Sequence, residues 1–349
     1  MKRDSYLYII QSNIVYFMKS EYKALYISET PDGNFTQEIS TLTTDQLMEK
    51  GVMIRVLYSS LNYKDALSAI GNKGVTRRYP HTPGIDAAGI VANSTHSDFR
   101  EGDEVIVTGY DLGMNTFGGF GEYINVPATW IVPKPIGMSL KESMTLGTAG
   151  FTAALAVHHL LRSGQKKEDG PVLVTGATGG VGSWGITILS HLGFEVIASS
   201  GKPGQSDFLK NLGANTIIGR SETDDMSGKA LLRPRWAGAI DTVGGNILAT
   251  VLKSCSEHGN IAVCGNVASA QLQTTVFPFI LNGVNLLGVN SATTPMALRR
   301  TLWQRLNEEW KTKLPSDAVI EIGLNELPEY IRLILKGQIT GRVILKHNP

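Results

Sequence analysis

From Tyr22 to about residue 135 the apolar positions fall in short runs punctuated by turn residues. The runs KALYIS, VMIRVLYSS, GIDAAGIVAN, DEVIVTG and GEYINV are rich in Val, Ile and Tyr and stop at Gly, Asp or Pro, as brief β-strands do. Together they predict a small antiparallel, barrel-like domain. The period changes at MSLKESMTLGTAGFTAALAVHHLL, where apolar residues recur three and four apart, as on a buried helix. Ser139 followed by Glu142 marks its start as a capping box, in which each side chain satisfies a free N–H of the first turn. Beyond about residue 170 strand-like and helical segments alternate. PVLVTG, FEVIASS, NTIIG, AGAIDTVG, NIAVCG and VNLLGVNS read as strands, and GSWGITILSHLG, SDFLKNLG, NILATVLKSC and FPFILNG as helices. Six strands joined through helices predict an α/β unit with a doubly wound parallel sheet. The last stretch, ELPEYIRLILKGQITGRVILK, reads as helix, turn and strand, free to return to the first domain.

Length and composition narrow the function classes. At 349 residues the chain is long enough for two domains. A formal net charge of +1 gives no general attraction for nucleic acid or an anionic membrane, so neither is expected as a partner. Cys255 and Cys264 are the only cysteines, which argues against a disulfide framework or a thiolate zinc site and for a reducing, cytoplasmic setting. The opening MKRDSYLYIIQSNIVYFMKS is broken by Gln11, Ser12 and Asn13 and is too short to span a bilayer. Residues 1–17 are therefore expected to be an N-terminal extension with little structure.

The most specific chemistry sits at ATGGVG, Ala177 to Gly182, between a strand and an amphipathic helix. This is a dinucleotide fingerprint with alanine at the first glycine position. Gly179 lets the backbone approach a diphosphate, and Gly182 lets the helix pack on the strand. Thr178, Gly180 and Val181 complete the turn, and the helix N-terminus offers N–H groups and partial positive charge to phosphates. The next strand ends in Ser199, Ser200, Gly201 and Lys202, where an NAD site carries an acid for the ribose hydroxyls. Glu195 lies at the opposite end of that strand. A hydroxyl and an ammonium there suit a 2′-phosphate, so the expected coenzyme is NADPH.

The segments SSLNYKDAL, PGIDAAG, GDEVIVTG, GGFGEYINV, LGTAGFTAALA, ATGGVG and WAGAIDTVGG follow one another in an order that resembles the medium-chain dehydrogenase/reductase superfamily, nearly end to end. Within it the chain looks like the zinc-free quinone-oxidoreductase-like branch, and more narrowly the NADPH-dependent acryloyl-CoA reductases. The resemblance implies a GroES-like β-barrel domain over residues 18–145 and 291–349. A Rossmann NADPH-binding domain is implied over 146–290, with the active site in the cleft between them. Zinc-dependent relatives carry Cys in the segment matching LNYKD and His-Glu in that matching PGIDAAG. Here Asn62, Tyr63 and Asp86 stand there, so no metal is expected.

The same resemblance implies reduction of an activated C=C bond, acryloyl-CoA to propionyl-CoA, by hydride transfer to the β-carbon. Tyr63 is then the candidate for contacting the nicotinamide ribose and assisting protonation, with Asn62 and Asp86 in support. Asn266, Val267, Ile280, Ser291 and Arg342 are further implied coenzyme contacts. Lys73, Arg77 and Arg78 are candidates for the phosphates of coenzyme A. A homodimer through the last Rossmann strand is also implied. Two alternatives stay open: an NADPH:quinone or small-enone oxidoreductase, and a non-catalytic NADPH-binding protein.

Overall fold

The computed structural model describes residues 20–47 and 51–348, and the extension expected over residues 1–17 lies outside them. Two compact units divide the chain. One takes in the chain through Thr148, Pro295–Arg299 and Ile320 onward; the other is Ala149–Thr294 with Arg300–Val319.

In the first unit, β1 (Glu21–Glu29) and β2 (Phe35–Thr43) form an antiparallel hairpin. There follow β3 (Val52–Leu61), α1 (Tyr63–Ala69), β4 (Asp86–Ser94), β5 (Glu104–Thr108), β6 (Tyr123–Val126) and β7 (Ile131–Pro133). β3 pairs antiparallel with both β4 and β6, and β5 with both β4 and β7. Val52, Ile54 and Val56 alternate inward along β3 and meet Val91, Val105, Val107, Ile124 and Ile131 in one buried cluster. Removing each such side chain from water contributes about 1.5–3 kcal/mol. Ser139 and Glu142 make the expected capping box at the head of α2 (Leu140–Arg162). Gly147 breaks that helix with φ 52° and ψ −156°. By length and composition α2 is the one described helix that suits a membrane span, yet most of its apolar stretch is buried in protein.

The second unit follows the expected alternation: β8 (Val172–Thr175), α3 (Gly180–His191), β9 (Val196–Ser200), α4 (Ser206–Asn211), β10 (Thr216–Gly219), β11 (Trp236–Asp241), α5 (Gly245–Lys253), β12 (Cys255–Val263), α6 (Phe277–Ile280), β13 (Asn285–Gly288) and α7 (Met296–Asn307). The six strands lie in the order β10-β9-β8-β11-β12-β13, with parallel pairings throughout. The order reverses beside β8, which places a topological switch point at the carboxyl end of β8, where open α/β sheets bind ligands. The FPFILNG helix shrinks to the four residues of α6.

The chain then returns to the first unit as β14 (Val319–Ile322), α8 (Leu327–Leu335) and β15 (Arg342–Lys346), with β15 antiparallel to β3. The boundaries fall at Thr148 and Thr294, a few residues beyond the expected 145 and 290, and the returning segment is itself divided. Residues 300–319 belong with the second unit, because Leu302, Trp303, Leu306 and Trp310 are buried there and Trp303 stacks on Phe151 at 6.2 Å.

Candidate functional site

In the second unit the chemistry gathers at the carboxyl ends of β8, β9 and β10. Gly176 ends β8 with φ +59°, and a Cβ on it would stand 2.2 Å from Thr242 Oγ1. The tight turn therefore belongs to Gly176, one residue before the position the sequence pattern assigns to Ala177, which is itself fully buried. Gly179 is the N-cap of α3. A Cβ on Gly182 would lie 2.4 Å from the Gly176 carbonyl oxygen, so only glycine lets the helix approach its own loop this closely. Ala177 N donates to Ser199 O at 3.1 Å and ties this turn to the end of β9. Thr178 is buried, while Gly179, Gly180 and Val181 are partly open to solvent at the helix N-terminus.

At the end of β9, Ser199 is buried and within 3.2 Å of Thr223 Oγ1, and Ser200 Oγ accepts from Lys202 N at 3.1 Å. Lys202 is half-buried, and desolvation pulls its ammonium below the ordinary lysine range. A Cβ on Gly201 would stand 2.6 Å from the guanidinium of Arg220, which follows β10. Sequence reasoning missed Arg220, since nothing in NTIIGRSE signals that β10 ends beside β9. Gly201 thus has the Arg220 guanidinium beside it and Lys202 next in the chain. Asp241, at the end of β11, accepts from Thr175 Oγ1 at 2.7 Å and Gly244 N at 2.8 Å, and burial raises its pKa. Asn266 and Val267 lie exposed in the segment that passes Gly244. Ile280 is exposed, and Ser291 accepts from Thr152 Oγ1 at 2.8 Å.

In the first unit Asn62, Asp86 and Arg342 converge. Asp86 is fully buried; its Oδ2 accepts from Ser60 Oγ at 2.5 Å, Asn62 Nδ2 at 2.8 Å and Thr148 N at 2.9 Å, and its Oδ1 from Thr148 Oγ1 at 2.6 Å. Arg342 donates through Nη1 to Asn62 Oδ1 at 3.2 Å and through Nε to Thr145 O at 3.1 Å. Its Nη2 has no hydrogen-bond partner among the described residues. Burial lowers the Arg342 pKa, opposed by the charges of Asp86 and Asp65. Gly147 borders this network: a Cβ there would meet Ser60 Oγ, Asp86 Oδ2 and Arg342 Nη2, all within 2.9 Å.

Tyr63 opens α1 immediately after Asn62 and is 39% exposed. Asp65 holds that helix start in place, accepting from Asn62 N and Ile85 N at 2.8 Å each. Burial, and then the neighbouring Asp86 charge, push the Asp65 carboxyl up to about 7. Lys73 is engaged elsewhere, paired with Glu29 at 2.6 Å and lying over the Phe35 and Tyr79 rings, whereas Arg77 and Arg78 are exposed.

Comparison with known proteins places both units. Residues 48–136 match the family model described as alcohol dehydrogenase GroES-like domain, and residues 180–308 that described as zinc-binding dehydrogenase. The chain is 44% identical over 330 residues to "Putative quinone oxidoreductase YhfP" of Bacillus subtilis, covering 94% of this chain and all of the other. It is 41% identical over 328 residues to the acrylyl-CoA reductase AcuI of Ruegeria pomeroyi, covering 94% and 99%. The yhdH oxidoreductase of Salmonella enterica, solved with NADP, superposes with a TM-score of 0.88 at 42% identity, covering 93% and 99%. The Bacillus subtilis yhfP structure with NAD bound gives 0.91 at 43%, covering 94% and 100%.

Proposed function

The chain belongs to the medium-chain dehydrogenase/reductase superfamily, and from that premise we propose that it is an NADPH-dependent reductase of an activated C=C bond, with acryloyl-CoA as substrate. The observation that carries this reading is the Arg220 guanidinium beside Gly201 at the end of β9, with Lys202 next in the chain and serines where an NAD site carries its acid. The residues fit the coenzyme. The Gly176–Gly182 turn and the N-terminus of α3 would receive the diphosphate, and Ser200, Lys202 and Arg220 the 2′-phosphate. When bound, NADPH supplies a hydride for the β-carbon of an α,β-unsaturated thioester.

The chain's own residues then have two tasks. One is to donate a hydrogen bond to the thioester oxygen as negative charge develops on it; the other is to deliver a proton to the α-carbon. Tyr63 is assigned the proton-delivering role, supported by its exposure and by the way Asp65 pins the first turn of α1. Asn62 and Asp86 act through position. Asn62 joins Asp86 to Arg342 and fixes the chain just before Tyr63. Arg77 and Arg78 remain assigned to coenzyme A phosphates, whereas Lys73 is a weaker assignment because Glu29 already neutralises it.

A zinc ion does not fit the Asp86 position. Both carboxylate oxygens are taken by four donors, no thiol or imidazole accompanies them, and among the described residues no three His, Cys, Asp or Glu side chains converge. The dimer is assigned to the β13 edge, next to which α6 exposes Phe277 and Ile280.

A second reading, a quinone as electron acceptor, draws support from the name given to the Bacillus subtilis relative. Anaerobic mixing with NADPH and acryloyl-CoA is expected to oxidise the coenzyme and yield propionyl-CoA, and Tyr63→Phe to slow it. Fast turnover of a quinone with none of the thioester reverses the ranking. Coenzyme binding without reduction of any electrophile would leave the chain a non-catalytic NADPH-binding protein.

A further inference from the structure

Away from the coenzyme loop, the second unit carries an open pocket of about 450 Å³, walled by Leu161 and Leu192 and carrying His158, Arg162, Arg305 and Glu309. His158 and Arg162 stand one turn apart on α2 and so share a face. Arg305 comes from α7 and Glu309 from the turn after it. Arg305 is partly neutralised, since its Nε meets Glu309 at 3.0 Å and its guanidinium lies over the buried Trp310 ring, 5.2 Å from the centroid. The His191 ring, 3.1 Å from the Glu309 carbonyl oxygen, fixes that turn. Arg162 and His158, by contrast, make no hydrogen bond or ion pair among the described residues, although His158 lies 5.8 Å from the His159 ring.

The pocket therefore gathers two guanidiniums and one imidazole against one carboxylate. Burial, and then the charges of His159, Arg305 and Arg162, hold His158 below the ordinary imidazole range. Helices α2 and α3 both end here, and free helix-end carbonyls would favour cations. Those carbonyls are already used: Leu160 O accepts from Ser163 and Gln165, Leu161 O from Gly164, and Ile188 O from Leu192. The positive charge is not consumed by the helix ends.

We propose that this pocket binds a phosphate dianion, with the Arg162 and Arg305 guanidiniums as forks and His158 as a third donor. A carboxylate satisfies one fork, whereas the terminal oxygens of a phosphate can meet donors converging from two helices. The room beside Leu161 and Leu192 allows the phosphate to be free or esterified to an organic group.

The test reads the His158 ring resonances of the full chain by NMR, assigned with His158→Gln, while inorganic phosphate or adenosine 5′-monophosphate is titrated at constant ionic strength. Saturable movement is expected. Arg162→Ala, an exposed position on a helix end, should weaken it about tenfold, the loss of one charge-assisted contact. Glu309→Gln should tighten it. Tighter binding of the nucleotide assigns a phosphomonoester, and equal binding assigns free phosphate. The proposal is overturned if neither ligand gives saturation, if Arg162→Ala responds like the parent, or if sodium chloride alone reproduces the shifts.

Discussion

Replacing Lys202 by alanine tests the coenzyme assignment directly. Two unit charges about 4 Å apart attract by roughly 4 kcal/mol at an effective dielectric near 20. Lys202 is only half-buried, so solvent and salt screen part of that attraction. What survives is about 1–3 kcal/mol, or roughly ten- to a hundredfold in the dissociation constant for NADPH. NADH lacks the phosphate and should lose less than about twofold, within the range of an exposed substitution. Arg220→Ala should behave alike, because its guanidinium stands against Gly201 at the same strand end. Ser200→Asp, which places a carboxylate where the 2′-phosphate would sit, should reverse the preference toward NADH. Fluorescence titration of each variant with both coenzymes measures these ratios. Equal losses for NADPH and NADH in Lys202→Ala and Arg220→Ala would refute the reasoning, since a contact to the shared part of the coenzyme cannot discriminate between them.

Gly182→Ala forces a methyl to within 2.4 Å of the Gly176 carbonyl oxygen, and such overpacking costs about 1–3 kcal/mol; a lower melting temperature and weaker binding of both coenzymes are expected. Asp86→Ala removes the acceptor for Ser60, Asn62 and Thr148 and leaves the Arg342 charge buried, so a loss of about 3–5 kcal/mol in denaturant unfolding is expected, with none of it recovered by added zinc. Asp65 keeps its proton in the folded state up to about pH 7 but releases it near 3.8 when unfolded, so its contribution to stability declines as pH rises through that window; Asp65→Asn should flatten this decline in unfolding free energy against pH. His81 and His347 act in the opposite sense: burial keeps both neutral, the unfolded chain protonates them near 6.5, and stability should fall as pH drops below that value, a fall that His347→Gln reduces.

The second unit was the more legible because its fold is written in local segments. Each strand and its following helix is contiguous, so hydrophobic period and turn residues were enough to place β8 to β13 and α3 to α5. Where pairing depends on residues far apart, the reading failed or stopped short. β2 and β7 carry weak alternation and become strands through their partners β1 and β5. The fingerprint sets Ala177 at its first position, and only the positive φ of Gly176 and the approach of Thr242 show that the sharp turn lies one residue earlier. The boundary at residue 300 was missed because α7 is polar overall, and its inward residues, Leu302, Trp303 and Leu306, declare themselves only against Phe151 and its neighbours.

The polar network of the first unit shows the same limit more sharply. Asn62, Asp86 and Arg342 were each singled out by resemblance, but Arg342 lies 280 positions from Asn62 and reaches it only because β15 pairs with β3. Ser60 and Thr148, which complete the hold on Asp86, stand inside SSLNYKDAL and LGTAGFTAALA, but nothing in those segments marks them as its partners. Gly147 links the two kinds of information. It stands inside a helical pattern where alanine would be favoured by propensity, and the three polar atoms within 2.9 Å of its missing Cβ explain why the helix breaks there. A glycine that contradicts its local pattern was thus the signal in the chain that a buried polar cluster lies beside it.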